Sequence, residues 1–146
     1  MITTSGRQRQ QAVSVDGGPP VAVIDYRNLR YALEGQDYVV RQAGDFPRGY
    51  AYQLWRVEDH LASLRGHWLH DRYTLTEGGR EWSLRRDGFL ASRYVLFAAE
   101  DRVGEVKRAG HWGRMDLIAD LPADVPTDIQ VFLVWFALYK FALADD

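Results

Sequence analysis

From Val21 to about Leu121, apolar and polar residues exchange places with a period of two, in short runs separated by Gly, Asp or Pro. Successive side chains of a strand point to opposite faces, so these runs predict strands with one buried face, and their close spacing predicts an antiparallel meander. Leu29, Tyr31 and Leu33 share one face while Arg30, Ala32 and Glu34 share the other. Gly35-Gln36-Asp37 then supplies a turn into Tyr38-Val39-Val40. Tyr50, Tyr52 and Leu54 alternate with Ala51, Gln53 and Trp55. Further strands are expected at Leu61 to Leu64, Trp68 to His70, Tyr73 to Thr76, Glu81 to Arg85, Tyr94 to Ala98, Val103 to Lys107 and Met115 to Ala119. Glu77-Gly78-Gly79 reads as a hairpin turn, since glycine reaches positive φ without steric cost.

The last segment has no such alternation. VFLVWFALYKFALA, Val131 to Ala144, carries a single charge, Lys140. Thr127 as N-cap, Gln130 three positions on, Pro126 before them and Asp128 in the first turn form a helix-start signature, which predicts a helix from Thr127 to Leu143. Its apolar residues occupy every face, so it must be surrounded. The run is shorter than the roughly 20 apolar residues that span a bilayer, which favours protein over lipid as the surroundings. A helix with its side chains is about 10–12 Å across. Only a many-stranded barrel encloses that width, because small eight-stranded barrels fill with their own side chains. The fold class expected is therefore mainly β: a closed antiparallel barrel of about 10 to 12 strands around a central hydrophobic C-terminal helix.

The chain's 146 residues suit one domain with a core of its own. Residues 1 to 20 are polar and end on Gly17-Gly18-Pro19-Pro20, which predicts a flexible leader ahead of a barrel domain over 21–146. The leader lacks the apolar run of a signal peptide and the chain has no cysteine, so a cytoplasmic location is expected. A net charge of −2 provides no whole-molecule attraction to nucleic acid, which is not an expected partner.

The stretches VGEVKRAGHW (Val103 to Trp112), RMDLIADLP (Arg114 to Pro122) and VPTDIQVFLVWFALYK (Val125 to Lys140) resemble the tubby-like superfamily, in its phospholipid scramblase and LURP-one-related branch. There a valine-glycine-x-valine-x-basic strand precedes a tryptophan, a further strand and a hydrophobic helix. The resemblance implies a twelve-stranded barrel around a central helix and a non-enzymatic domain that binds phospholipid headgroups at a membrane surface. The chain lacks the cysteine-rich segment and proline-rich leader of animal scramblases, so lipid-moving activity is not implied.

Several guanidinium or ammonium groups must converge to hold a phosphate. The candidate headgroup site is Arg85, Arg86, Lys107 and Arg108, with Arg102 and Arg114 near in sequence. Asp116, Asp120, Asp124 and Asp128 recur every fourth residue without the alternate spacing and glycine of a calcium loop, and read as loop charges. His67 and His70, three apart, would point to opposite faces of one strand, so no metal site is expected from them or from His60 and His111. No serine lies in a nucleophile elbow and no glycine run cradles a phosphate, so neither catalytic residues nor a cofactor are expected. The alternative is a protein-interaction or structural scaffold domain with no small ligand, for which an exposed patch including Trp55 or Trp82 would speak. A hydrolase is the reading with least support.

Overall fold

The computed structural model describes residues 1–7, 10–44, 50–67, 70–87, 93–109 and 116–145. Its elements are β1 (Ile2–Arg7), β2 (Gln10–Val15), β3 (Pro20–Asp25), β4 (Arg30–Leu33), β5 (Gln36–Ala43), β6 (Tyr50–Arg56), β7 (Asp59–His67), β8 (His70–Glu77), β9 (Arg80–Arg86), β10 (Arg93–Ala98), β11 (Asp101–Arg108), β12 (Leu117–Asp120) and α1 (Thr127–Asp145). The strands form one antiparallel meander from β4 to β12. Strand β12 then pairs with β1, β1 with β2, and β2 with β3. The sheet curls until β3 and β4 lie side by side with no ladder between them, giving a nearly closed barrel with one seam. Trp68, Trp112, Arg114 and Met115 of the expected strands and motif lie outside the described residues.

Residues 1 to 20 are not the flexible leader their polarity predicts. They hold β1 and β2, which bring the barrel to twelve strands and join it to β12. Ile2, Thr4 and Val13 are buried, and the Thr4 hydroxyl accepts a 2.9 Å bond from the Leu117 N–H. A strand needs only its inward residues to tolerate burial, and a bonded threonine does so.

The turns at one end of the barrel are tight. Glu34-Gly35, Val57-Glu58, Gly78-Gly79 and Ala99-Glu100 are two-residue connections, fixed by the registers Leu33↔Gln36, Arg56↔Asp59, Glu77↔Arg80 and Ala98↔Asp101. Glu34 and Gly35 take φ of 51° and 77°, and Gly78 and Gly79 take 56° and 79°, as expected of turns whose twist matches that of the strands. The β4–β5 turn falls one residue earlier than the sequence suggests, since Gln36 and Asp37 already pair with Leu33 and Ala32.

Helix α1 enters the barrel at this end and runs toward the other. Every side chain from Val131 to Leu138 is at most 1% exposed. Phe136 meets Tyr52, Tyr73 and Tyr94 edge-on at 5.6, 4.7 and 5.5 Å, so three strands close on one ring. Trp135 stacks on Tyr139 at 5.2 Å and donates its indole N–H to the Asn28 carbonyl at 3.0 Å. Asn28 belongs to the β3–β4 connection, so this bond ties the helix to the seam.

The helix start differs from the capping box. The Gln130 N–H donates to the Pro126 carbonyl at 2.9 Å, which makes Pro126 the cap and Thr127 the first helical residue. Proline has no N–H for a reciprocal bond. Gln130 instead donates its side-chain amide to the carbonyls of Val125 (2.8 Å) and Pro122 (3.1 Å), while the Asp128 carboxylate accepts from the Ile129 N–H at 2.9 Å.

Candidate anion-binding face

Alternation decides where each cation of the predicted quartet goes. On β9, Trp82 and Leu84 are buried, so Arg86 shares their inward face and Arg85 points outward. On β11, buried Val106 puts Arg108 inward and Lys107 outward. The quartet therefore does not converge as adjacent residues on neighbouring strands were expected to. Arg85 and Lys107 reach the outer wall, while Arg86 and Arg108 turn into the barrel's end.

Arg86 has a structural setting there. Its guanidinium is 3.3 Å from Asp71 and 5.8 Å from the centre of the Phe141 ring, near the end of α1. The Tyr94 hydroxyl donates to the same Asp71 carboxylate at 3.1 Å. This cluster bonds the wall to itself beside the helix's C-terminal turn, where a cation also suits the helix dipole.

The outer wall holds two cations that sequence reasoning missed. Arg72 on β8 pairs directly with Arg85, and Arg93 on β10 pairs directly with Lys107. The first row continues across the sheet through Val95, buried although it faces outward, to Glu105 opposite it, and Arg93–Lys107 is the next outward row. A register shift after Leu96 makes Val103 an extra residue and sets Arg102 opposite Phe97. The bulge reverses the parity of Arg102 and turns it onto the outer wall. The Arg85 guanidinium lies 4.6 Å above the Phe97 ring, and a shallow notch of about 170 Å³ opens among Arg85, Arg86, Asp87, Val95, Phe97 and Arg102.

Charge is also uneven along the barrel axis: acids outnumber Arg56, Arg80 and Arg102 at the tight turns, and cations outnumber Asp71, Asp87 and Asp116 toward the other end. Glu34, Glu58, Asp59, Glu77, Glu100 and Asp101 sit at or beside the tight turns, around the helix N-terminus. Arg41, Arg65, Arg72, Arg85, Arg93 and Lys107 lie in the strand halves toward the opposite end. Each set lies toward the helix end whose partial charge it complements. The cavity at the acidic mouth, about 750 Å³, is lined by Glu34, Asp59 and Asp128 with a single guanidinium, Arg56, which makes it a poor host for an anion. Below it Tyr31 and Tyr38 stack at 5.2 Å and donate to the Asp128 carbonyl and carboxylate at 3.3 and 3.5 Å. Burial, then the Asp128 charge, then Tyr38 raise the Tyr31 pKa well above the ordinary phenol value.

The remaining candidates disperse. Asp128 starts the helix, Asp124 pairs with Arg80 at 3.5 Å, Asp120 ends β12, and Asp116 precedes β12 at the other end of the barrel. His67 and His70 do not lie on one strand: His67 ends β7, His70 begins β8, and the two are backbone partners in the β7–β8 ladder. His111 lies outside the described residues, and among those described no group of three or more His, Asp or Glu side chains could hold a metal ion. The His60 Nε2 atom lies 2.8 Å from the Ser63 hydroxyl, with its ring stacked on Trp55 at 4.9 Å. Trp55 is further covered by the Arg41 guanidinium at 4.4 Å, and Trp82 is a core residue, so the two tryptophans form no common exposed patch. No helix among the described residues is long and apolar enough to cross a membrane. Comparison with models of known families, with curated proteins and with solved structures finds no match to this chain.

Proposed function

We propose that the protein is a non-catalytic, tubby-like barrel that binds anionic phospholipid headgroups at a cytoplasmic membrane surface through the outer wall of β8 to β11. The observation that carries this reading is the pair of like-charge rows, Arg72 opposite Arg85 and Arg93 opposite Lys107. Like charges directly opposite on a ladder destabilise it. An external anion bridging them turns that cost into binding, and arginine does so with two parallel hydrogen bonds. The non-catalytic part of the reading is supported by the filled interior: α1 occupies the space in which other barrels hold a substrate.

The test is co-sedimentation with vesicles of phosphatidylserine in phosphatidylcholine. Binding is expected at low salt, weakening as added salt screens the surface, and absent from pure phosphatidylcholine. Replacing Arg85 and Lys107 together by Glu is expected to abolish it. Failure of the unaltered protein to sediment with anionic vesicles at low salt overturns the proposal.

A further inference from the structure

One carboxylate stands among the cations of the outer wall. Glu105 is opposite Val95 on the ladder, with its side chain 21% exposed. Arg102 Nη2 lies 2.6 Å from its Oε2 and Arg93 Nη1 lies 3.7 Å from the same oxygen, while Lys107 Nζ lies 3.7 Å from Oε1. Three cations from two strands thus converge on a group carrying one charge. Asp87 takes a second share of Arg93, at 2.6 Å, and Arg102 and Lys107 gain no comparable contact from it. The notch between Arg85 and Arg102 adjoins this cluster through Arg102; Val95 and Phe97 give it an apolar part, and Arg86 and Asp87 complete its lining.

The geometry points to Glu105 as an internal stand-in for the phosphate of a ligand. In the free protein its carboxylate gathers Arg93, Arg102 and Lys107, of which Arg102 also lines the notch. A phosphate monoester, lipid-borne or free, then takes over these contacts. Phosphate fits better than a second carboxylate, because it brings close to two charges and three strong acceptor oxygens to cations that exceed the charge of Glu105. The inference rests on the anion-binding reading above and adds a regulation to it: Glu105 competes with the ligand and sets the affinity of the face. Each half-exposed ion pair is worth little alone, but several released together amount to a measurable change in affinity.

The experiment compares the full chain with Glu105→Gln, using inorganic phosphate by calorimetry and phosphatidic acid vesicles by co-sedimentation. Glu100→Gln, which makes the same charge change at the acidic end, is the control. Glu105→Gln is expected to bind roughly threefold or more tightly, Glu100→Gln to match the unaltered protein, and Arg102→Gln added to Glu105→Gln to erase the gain. A gain on vesicles alone identifies a lipid-borne phosphate, and a gain on free phosphate alone a soluble ester; either upholds the stand-in role. If Glu105→Gln binds no better than the unaltered protein, or Glu100→Gln equals it, the inference falls while anionic vesicle binding still stands. If neither the unaltered protein nor Glu105→Gln binds either probe, both fall together.

Discussion

Arg72 and Arg85 face each other across the β8–β9 ladder, cation against cation, and Arg85 is further held over the Phe97 ring at 4.6 Å. Like charges so placed oppose folding, and in the proposed reading they favour an external anion, so the two properties should separate on mutation. Arg72→Thr, which removes one charge and suits a strand, is expected to stabilise the fold by roughly a few tenths of a kcal/mol. Urea unfolding would show a higher midpoint with unchanged slope, while binding to anionic vesicles weakens. A variant that lost binding and stability together would contradict this division.

Trp135 couples packing to a hydrogen bond, and substitutions can divide the two. Trp135→Phe keeps most of the ring but leaves the Asn28 carbonyl without its 3.0 Å donor, at an expected cost of about 1–3 kcal/mol. Trp135→Ala adds a cavity at the centre of the barrel, with an expected cost of about 3–5 kcal/mol. A chain truncated after Gln130 loses the whole core of α1 and should be unfolded by circular dichroism. A folded, soluble product from that truncation would remove the central helix from its structural role.

Val57 is a β-branched residue at φ 56°, 78% exposed in a tight turn. Its side chain gains little from packing and its backbone sits where L-residues are disfavoured by about 1–2 kcal/mol. Val57→Gly is expected to raise the thermal midpoint, with Val57→Asn intermediate. No increase in either variant would mean that the turn relaxes at no cost.

Tyr31 gives the fold a limit in alkaline solution. Its phenol is held neutral by burial first and by the Asp128 charge second, so its folded pKa lies above its ordinary value of 10.0. Below that value both folded and unfolded states keep the proton, and stability does not depend on this group. Above it the unfolded chain releases the proton first, so stability falls as pH rises toward the folded pKa. Tyr38 is shifted in the same direction, with burial again the largest cause. Urea midpoints measured from pH 8 upward should decline beyond pH 10, and Tyr31→Phe should flatten that decline while losing the bond to the Asp128 carbonyl.

The sequence made some of this legible for definite physical reasons. Tyr31 and Leu33 are buried on one face of β4, and Gly78-Gly79 makes its hairpin, because alternation and positive φ leave direct traces in residue type. The all-round apolar helix dictated its own enclosure. Strands β1 and β2 were missed because inward Thr4 and Gln11 are polar; the breaks after Trp55 and Ala98 were legible, but not the tight turns at Val57 and Ala99, since neither carries the glycine that positive φ favours. For the site, nearness in sequence misled where parity would have served. Arg85 and Arg86 cannot share a face, nor can Lys107 and Arg108, and buried Leu84 and Val106 say which of each pair turns inward. Arg72 and Arg93 needed the register, and Arg102 needed the bulge, and neither can be read without the ladder.

The separation of acids at the turns from cations in the opposite strand halves makes the barrel a permanent electric dipole along its own axis. Near a negatively charged surface such a body feels a torque before it makes contact. If the protein binds anionic membranes as proposed, it would arrive already rotated, with its cation-rich end leading and the tight turns trailing, and the angular search that precedes docking would be shortened. Salt should therefore slow the approach as well as loosen the grip, because it shortens the range over which the torque acts.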